Sequence, residues 1–214
     1  MTKLVLISDT HEYHERITIP KCDILCHTGD FSNRGKPHKV RGFLEWFSKQ
    51  PANHAIYISG NHDCSYEKKP EFKQQMIEEF PELIYLEDSG VEVEGLKIYG
   101  SPYTPEFCGW NFMHPRGSKE LADKWDLIPR DTDVLLTHGM PYGILDKNDE
   151  GEHCGCELLR HRIEELPNLK LVAGGHIHEG YQLDERTLPP TVFVNASIWD
   201  HRTGKLREAV EIEL

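Results

Sequence analysis

The sequence predicts an α/β sandwich of mixed β-sheets, and two observations predict it. Short apolar runs bounded by turn residues recur along the whole chain, and helical apolar patterns separate several of them. Strands and helices alternate early, as parallel β-α-β units require, whereas short strands follow one another directly later on.

Taken in order, the predicted strands are 4–7, 24–26, 55–58, 83–86, 91–99 with a turn at Gly95, 134–136, 169–173, 192–194 and 209–212. Val40, Phe43, Leu44 and Phe47 fall at i, i+3, i+4 and i+7 and predict a helix between the second and third strands. Phe72, Met76, Ile77 and Phe80 predict another, and Leu158, Leu159, Arg162, Ile163 and Leu166 outline a third that stops at Pro167. The stretch 100–117, rich in Pro and Gly, is predicted as the longest irregular segment, and long loops in compact domains are usually functional. No repeat or composition break divides the chain, so residues 1–214 are expected to form one domain.

Composition narrows the function. With 38% hydrophobic and 28% charged residues, the chain reads as globular and not as a disordered or collagen-like polymer. Its net charge of −12 provides no electrostatic footprint for duplex nucleic acid or an anionic membrane. The first apolar run is too short for a signal peptide, and none approaches the roughly 20 residues of a membrane span, so a cytoplasmic location is expected. The six cysteines are read as reduced thiols. Cys154 and Cys156 resemble a soft-metal pair, but a structural zinc wants four ligands, which disfavours that reading. Thirteen histidines are a surplus, and histidine is the commonest metal ligand.

The surplus has a pattern. Five predicted strands end in polar residues able to bind metal: Asp9-Thr10-His11, Gly29-Asp30, Gly60-Asn61-His62-Asp63, His138-Gly139 and Gly175-His176-Ile177-His178. Ligands bind outside the carboxyl ends of the strands in open α/β sheets, so these endings can converge. Read as extended backbone, Asp9-x-His11 and His176-x-His178 each point two side chains to one side and can chelate an ion. Asp30 can bridge two cations, and Asn61 adds a neutral oxygen. This mixed N/O set suits Mn²⁺, Fe or Zn²⁺ better than Ca²⁺ or a thiolate-loving metal. Seven ligands on two ions leave positions open for a bridging hydroxide and a substrate, the arrangement for in-line phosphoryl displacement. His62 is placed to protonate the leaving oxygen, with Asp63 expected to orient it. His27 adjoins the site. His14 and six other histidines carry no such pattern and are expected on the surface or in ordinary hydrogen bonds.

Those endings resemble the signature set of the calcineurin-like metallophosphoesterase superfamily over most of the chain. The resemblance implies a four-layer α/β/β/α sandwich, with Asp9, His11, Asp30 and His178 on one metal and Asp30, Asn61, His138 and His176 on the other. The segments 100–105, 109–112, 115–117, 123–129 and 178–181 resemble more closely the metallophosphoesterase domain-containing (MPPED) proteins and their bacterial relatives. That similarity implies metal-dependent phosphodiester hydrolysis on small or cyclic nucleotide-type esters, with two divalent ions, usually Mn²⁺, and Fe, Zn, Ni or Co as the alternatives. Within 103–116, Trp110 and Arg116 are candidates to stack on a base and grip phosphate, or else the loop's aromatics anchor it to the core, as expected for Phe112. Asn33 and Arg34 are candidate contacts to substrate oxygens. The expected function is a dinuclear phosphodiesterase acting on a small phosphate ester or nucleotide. A phosphomonoester or phosphoprotein phosphatase, or a non-catalytic metal-dependent scaffold, are the alternatives, and the pattern assigns no oligomeric state.

Overall fold

In the computed structural model, which describes residues 1–184, 187, 188 and 190–214, the first strand already shows how the layers arise. Along β1 (Lys3–Ile7) successive side chains alternate: Leu4 and Leu6 enter one apolar cluster, Val5 and Ile7 another. A strand buried on both faces lies between two layers.

The chain continues through β2 (Cys22–His27), α1 (Pro37–Phe47), β3 (Ala52–Tyr57), α2 (Cys64–Lys68), α3 (Pro70–Glu79), β4 (Leu83–Tyr85), β5 (Ser89–Val93) and β6 (Leu96–Ser101). There follow β7 (Thr104–Pro105), β8 (Met113–His114), α4 (Lys119–Asp126), β9 (Val134–Thr137), α5 (Glu157–Glu164) and β10 (Leu171–Gly174). The last strands are β11 (Gln182–Asp184), β12 (Val192–Asn195), β13 (Trp199–Asp200), β14 (Lys205–Leu206) and β15 (Val210–Glu213).

One sheet has the order β15-β1-β2-β3-β4, parallel except for β15 at its edge. The other, β11-β12-β10-β9-β6-β5, is parallel through its four inner strands and closed at both edges by an antiparallel strand. Between the sheets lie Leu4, Leu6, Ile24, Ile56, Ile98, Leu136, Ala173 and Val194. The outer face of the first sheet is covered by Val40, Phe43, Leu44 and Phe47 of α1 and Met76 of α3. Leu121 and Trp125 of α4 and Leu159 and Ile163 of α5 cover the second. The result is the expected α/β/β/α sandwich of two mixed sheets.

All three expected helices form. The spacing alone misses α4, whose buried face is a single i, i+4 step, Leu121 and Trp125; its start is secured by Ser118, whose hydroxyl accepts from the Leu121 N–H at 3.2 Å. The segment 100–117 is less irregular than expected, because Thr104 pairs with Met113 and Pro105 with His114. His14 is a correction: it is buried, packed on the rings of Phe43 and Trp46 at 5.4 and 5.2 Å. Among the described residues no helix is long and apolar enough to cross a membrane. The two sheets join where Ser8, just past β1, pairs with Ser197, just past β12, and the Ile198 N–H donates to the Ser8 carbonyl at 2.9 Å. Strand ends from both sheets therefore meet at one place.

Candidate metal centre

Asp9, His11, Asp30 and His176 all have left-handed backbone, with φ of 53°, 42°, 58° and 68°. The extended reading of Asp9-x-His11 and His176-x-His178 is therefore corrected. The pairs converge because the chain curls tightly off each strand, and His178 lies in a single 3₁₀ turn. Left-handed backbone is unfavourable by roughly 1–2 kcal/mol per L-residue and persists only where surroundings over-determine it. Here the Asp9 N–H donates to the Gly29 carbonyl (2.9 Å), His11 N–H to that of Asp30 (3.0 Å) and Gly175 N–H to that of His138 (2.8 Å). His27 is buried behind these turns, its ring within hydrogen-bonding distance of Thr10 Oγ1 and of the Gly29 N–H.

The glycines before the ligands serve close approach more than backbone freedom. A Cβ on Gly60 would lie 2.2 Å from Asp30 Oδ1, and one on Gly175 would lie 2.1 Å from Asp9 Oδ2. Only Gly29, at φ +99°, also needs the left-handed freedom of glycine.

Two groups of donor atoms result, Asp9, His11 and His178 in one and Asp30, His138 and His176 in the other, each with its atoms within 4.8 Å of one another. In the first, His11 Nε2 and His178 Nε2 are 3.3 Å apart and Asp9 Oδ1 is 3.4 Å from His178 Nε2. In the second, His138 Nε2 is 3.4 Å from Asp30 Oδ2 and 2.9 Å from Asn61 Oδ1. Asp30 Oδ2 also stands 3.9 Å from His11 Nε2, so one carboxylate oxygen faces histidines of both groups. The Nδ1–H of His138 donates to the Thr28 carbonyl at 2.9 Å and that of His178 to the Trp199 carbonyl at 2.6 Å, which turns both Nε2 atoms inward.

The donors fit divalent cations. Asp9 Oδ2 accepts from Ser197 Oγ (2.8 Å) and the His176 N–H (3.0 Å), but Oδ1, fully buried, accepts no hydrogen bond and faces imidazole nitrogens. A buried carboxylate oxygen without a donor is costly, and a cation among those nitrogens would remove the cost. Protons partly stand in for that charge. Burial alone would raise both aspartates and lower the histidines, but pairing wins at four of them. His178 holds the Asp9 carboxyl well below its ordinary value and His138 does the same to Asp30. Against its burial, Asp30 raises His138 to about 9, and Asp9 raises His178. Burial prevails at His176, lowered to about 4, and at His11, also lowered.

His62 sits at the rim. Its N–H donates to Asp30 Oδ1 (2.8 Å), and its ring Nδ1–H donates to the Asn33 carbonyl (2.7 Å), leaving Nε2 4.0 Å from Asp30 Oδ2. Asp63 does not orient it, contrary to expectation. The buried Asp63 carboxylate instead accepts from the N–H groups of Asp30, Gly60 and Ser32 and from Ser32 Oγ at 2.7–3.0 Å, which locks the turns carrying Asp30 and Asn61. Its burial and the nearby Asp30 push its carboxyl up to about 8, against those four donors.

The candidate substrate contacts divide. Asn33 reaches the site through its backbone carbonyl, and its side chain donates to the His11 carbonyl at 3.4 Å. Arg34 is exposed, its guanidinium 6.0 Å over the Trp110 ring. Trp110 stacks on His62, ring centroids 4.1 Å apart. Arg116 lines the cavity beside His176, where its guanidinium donates to the carbonyls of Gly155 and Cys154 and to Glu157 at 2.6–2.8 Å, contacts that tie it to the segment leading into α5. Phe112 anchors its loop in the core, as expected. Cys156 caps α5 and accepts from the Trp125 indole N–H, a packing role. Sequence reasoning missed Ser197, although it follows an apolar strand as the other site residues do. It also gave Asn111 no role, although Asn111 lies in segment 109–112, which carries the closer resemblance.

Cavities flank the donor groups. One of about 420 Å³ borders His176 and Gly139 and is walled by Pro105, Phe107, Met140 and Ile177. A groove of about 400 Å³ borders His11, His62 and His178 together with Tyr13, Trp199 and His201.

Residues 2–180 match the sequence profile of the calcineurin-like phosphoesterases. Human metallophosphoesterase domain-containing protein 1 is 37% identical over 218 residues, which cover 92% of this chain and 66% of that protein. The chain thus spans just under two thirds of that relative's length. A UPF0046 protein of Caenorhabditis elegans is 36% identical over 227 residues, covering 98% of this chain and 78% of the relative. A crystal structure from Thermus thermophilus overlays with a TM-score of 0.65 at 18% identity, covering 98% of each chain. On the profile match and these relatives, the chain belongs to the calcineurin-like phosphoesterase family.

Proposed function

We propose that residues 1–214 act as one metallophosphoesterase domain that hydrolyses small phosphodiesters with two divalent cations, Mn²⁺ foremost. The observation that carries the reading is the meeting of two donor groups across Asp30 Oδ2. Asp9, His11, Asp30 and His178 would hold one cation, and Asp30, Asn61, His138 and His176 the other. When bound, such a pair supplies Lewis acidity that activates water and offsets charge on phosphoryl oxygens.

The chain's own groups do the rest. The carbonyls of Thr28 and Trp199 keep His138 and His178 in one tautomer. With Nδ1–H committed to Asn33, a protonated His62 presents its remaining proton at Nε2, where it can be given to a leaving alkoxide. Cavities at both the His176 and the His62 ends support a diester over a monoester, since a phosphoryl group between them has room for two substituents. The substrate class that fits is a small or cyclic nucleotide-type diester. The same reading assigns the cytoplasm, supported by six free thiols spread over the chain.

Purified protein supplied with Mn²⁺ is expected to hydrolyse bis-p-nitrophenyl phosphate, and Asp30→Ala or His138→Ala to abolish that activity. Wild type as inactive as His62→Ala with every metal tested would defeat the proposal. Rates on a cyclic nucleotide, a mononucleotide and a phosphopeptide then separate diester from monoester preference.

A further inference from the structure

We infer that Trp110 and Asn111 are positioning residues that clamp the Asn61–His62 unit, so that this loop orients the proton donor and does not stack on substrate. The inference rests on the proposed phosphoesterase reading and names the parts that make His62 work.

Asn111 is 3% exposed, and its side-chain N–H donates to the Asn61 carbonyl at 3.1 Å. That carbonyl shares a planar peptide unit with the His62 N–H, which donates to Asp30 Oδ1 at 2.8 Å. With the Cys64 thiol, which donates to the same carbonyl at 3.8 Å, Asn111 therefore helps fix the plane that aims both the shared carboxylate and the start of His62. Trp110 covers the His62 ring at 4.1 Å and 28°, while the His11 ring meets it edge-on at 4.9 Å and the Asn33 carbonyl takes its Nδ1–H. These contacts hold one face of the imidazole, one edge and Nδ1, and leave Nε2 towards the groove it lines. A base cannot occupy the Trp110 face that His62 already covers.

The loop is built to deliver these two residues. Phe112 is buried, its N–H donating to Glu67 Oε1 and its carbonyl accepting from the Thr104 N–H, both at 3.0 Å. Cys108, Gly109 and Phe112 have left-handed backbone, with φ of 52°, 65° and 52°, which folds the tip back over His62. Phe112 and Glu67 thus anchor the clamp to the core and to α2.

Side-chain NMR of ¹⁵N-labelled histidine tests the clamp without turnover. Wild type and Trp110→Phe should show His62 as a single Nδ1–H tautomer, and Trp110→Ala should show it averaged. A His62 signal identical in Trp110→Ala would overturn the inference. With Mn²⁺, Trp110→Ala should lower kcat on an alkyl phosphodiester about tenfold or more and on the p-nitrophenyl diester far less, because p-nitrophenolate leaves without a proton. KM should stay within about twofold, and Trp110→Phe should recover most of the rate. A raised KM with unchanged kcat would make Trp110 a substrate platform, and an equal loss on both esters would remove the link to proton donation. By calorimetry, Asn111→Ala should weaken Mn²⁺ binding about 10- to 100-fold at one of two sites, whereas unchanged binding at both would overturn its part. If wild type hydrolysed nothing, the proposed function would fall while the NMR and calorimetric results still judged the clamp.

Discussion

Adding one methyl group at Gly60 tests the centre's geometry directly. A Cβ there would lie 2.2 Å from Asp30 Oδ1, 2.5 Å from the Asp30 backbone nitrogen and 2.6 Å from His138 Cε1. Ordinary contacts to carbon are about 3.5 Å, so Asp30 must retreat by roughly 1 Å. Because one contact is backbone, a side-chain rotation does not suffice. The retreat would break the 2.8 Å bond from the His62 N–H and spoil the 3.4 Å approach of Oδ2 to His138. A displacement of about 1 Å at a reacting centre costs on the order of 100-fold in rate, and overpacking a dense site costs about 1–3 kcal/mol in stability. Gly60→Ala should therefore bind Mn²⁺ about 10- to 100-fold more weakly by calorimetry and lose at least about 100-fold in kcat/KM on bis-p-nitrophenyl phosphate. Gly42→Ala is the control, since nothing lies within 4 Å of its Cβ in the middle of α1. It should gain up to about 1 kcal/mol of helix propensity and melt about 2–4 °C higher, with unchanged metal binding. Wild-type affinity and rate in Gly60→Ala would refute the close packing of Asp30 on which the bridging arrangement depends.

Metal uptake should release protons, because His138, at about 9, and His178 are raised in the metal-free protein and must lose them to ligate. Apparent affinity should climb from pH 6 towards 9, and calorimetry in two buffers of different ionisation enthalpy should count the protons. Stability of the metal-free protein should fall on acidification through His14, whose burial lowers it to about 4, below its ordinary 6.5. The unfolded chain takes up that proton first, so the contribution is full above about pH 6.5 and lost by about pH 4, at most about 3 kcal/mol. Urea unfolding of His14→Gln should show a correspondingly flatter pH dependence; equal slopes would exclude His14. Arg116→Ala should lower the melting temperature by loosening residues 154–157 and leave KM for phosphodiesters within about twofold; a large KM increase would restore it to substrate binding.

Much of the fold, and the convergence of the candidate donors on one place, was legible in the chain. Alternation such as Leu4, Leu6 against Val5, Ile7 reports a strand buried on both faces, and polar residues that close such strands report where ligands gather. The helix α4 was not legible, since two apolar residues in eight give a periodicity too short to read. His14 misled because burial of an imidazole against Phe43 and Trp46 leaves no local mark.

Orientation within the site belongs to the third dimension. Asp63, next to His62 in the chain, spends its carboxylate on Asp30, Gly60 and Ser32, while a carbonyl 29 residues away, that of Asn33, holds the imidazole. Trp110 and Asn111 reach Asn61 and His62 only because Phe112 seats their loop in the core, and Ser197 reaches Asp9 only because the two sheets meet. Residue type and strand pattern carry ligand chemistry, since a carboxylate or imidazole binds metal wherever it is placed. Which backbone group a side chain faces depends on long-range packing, and that information is spread over segments far apart in the chain.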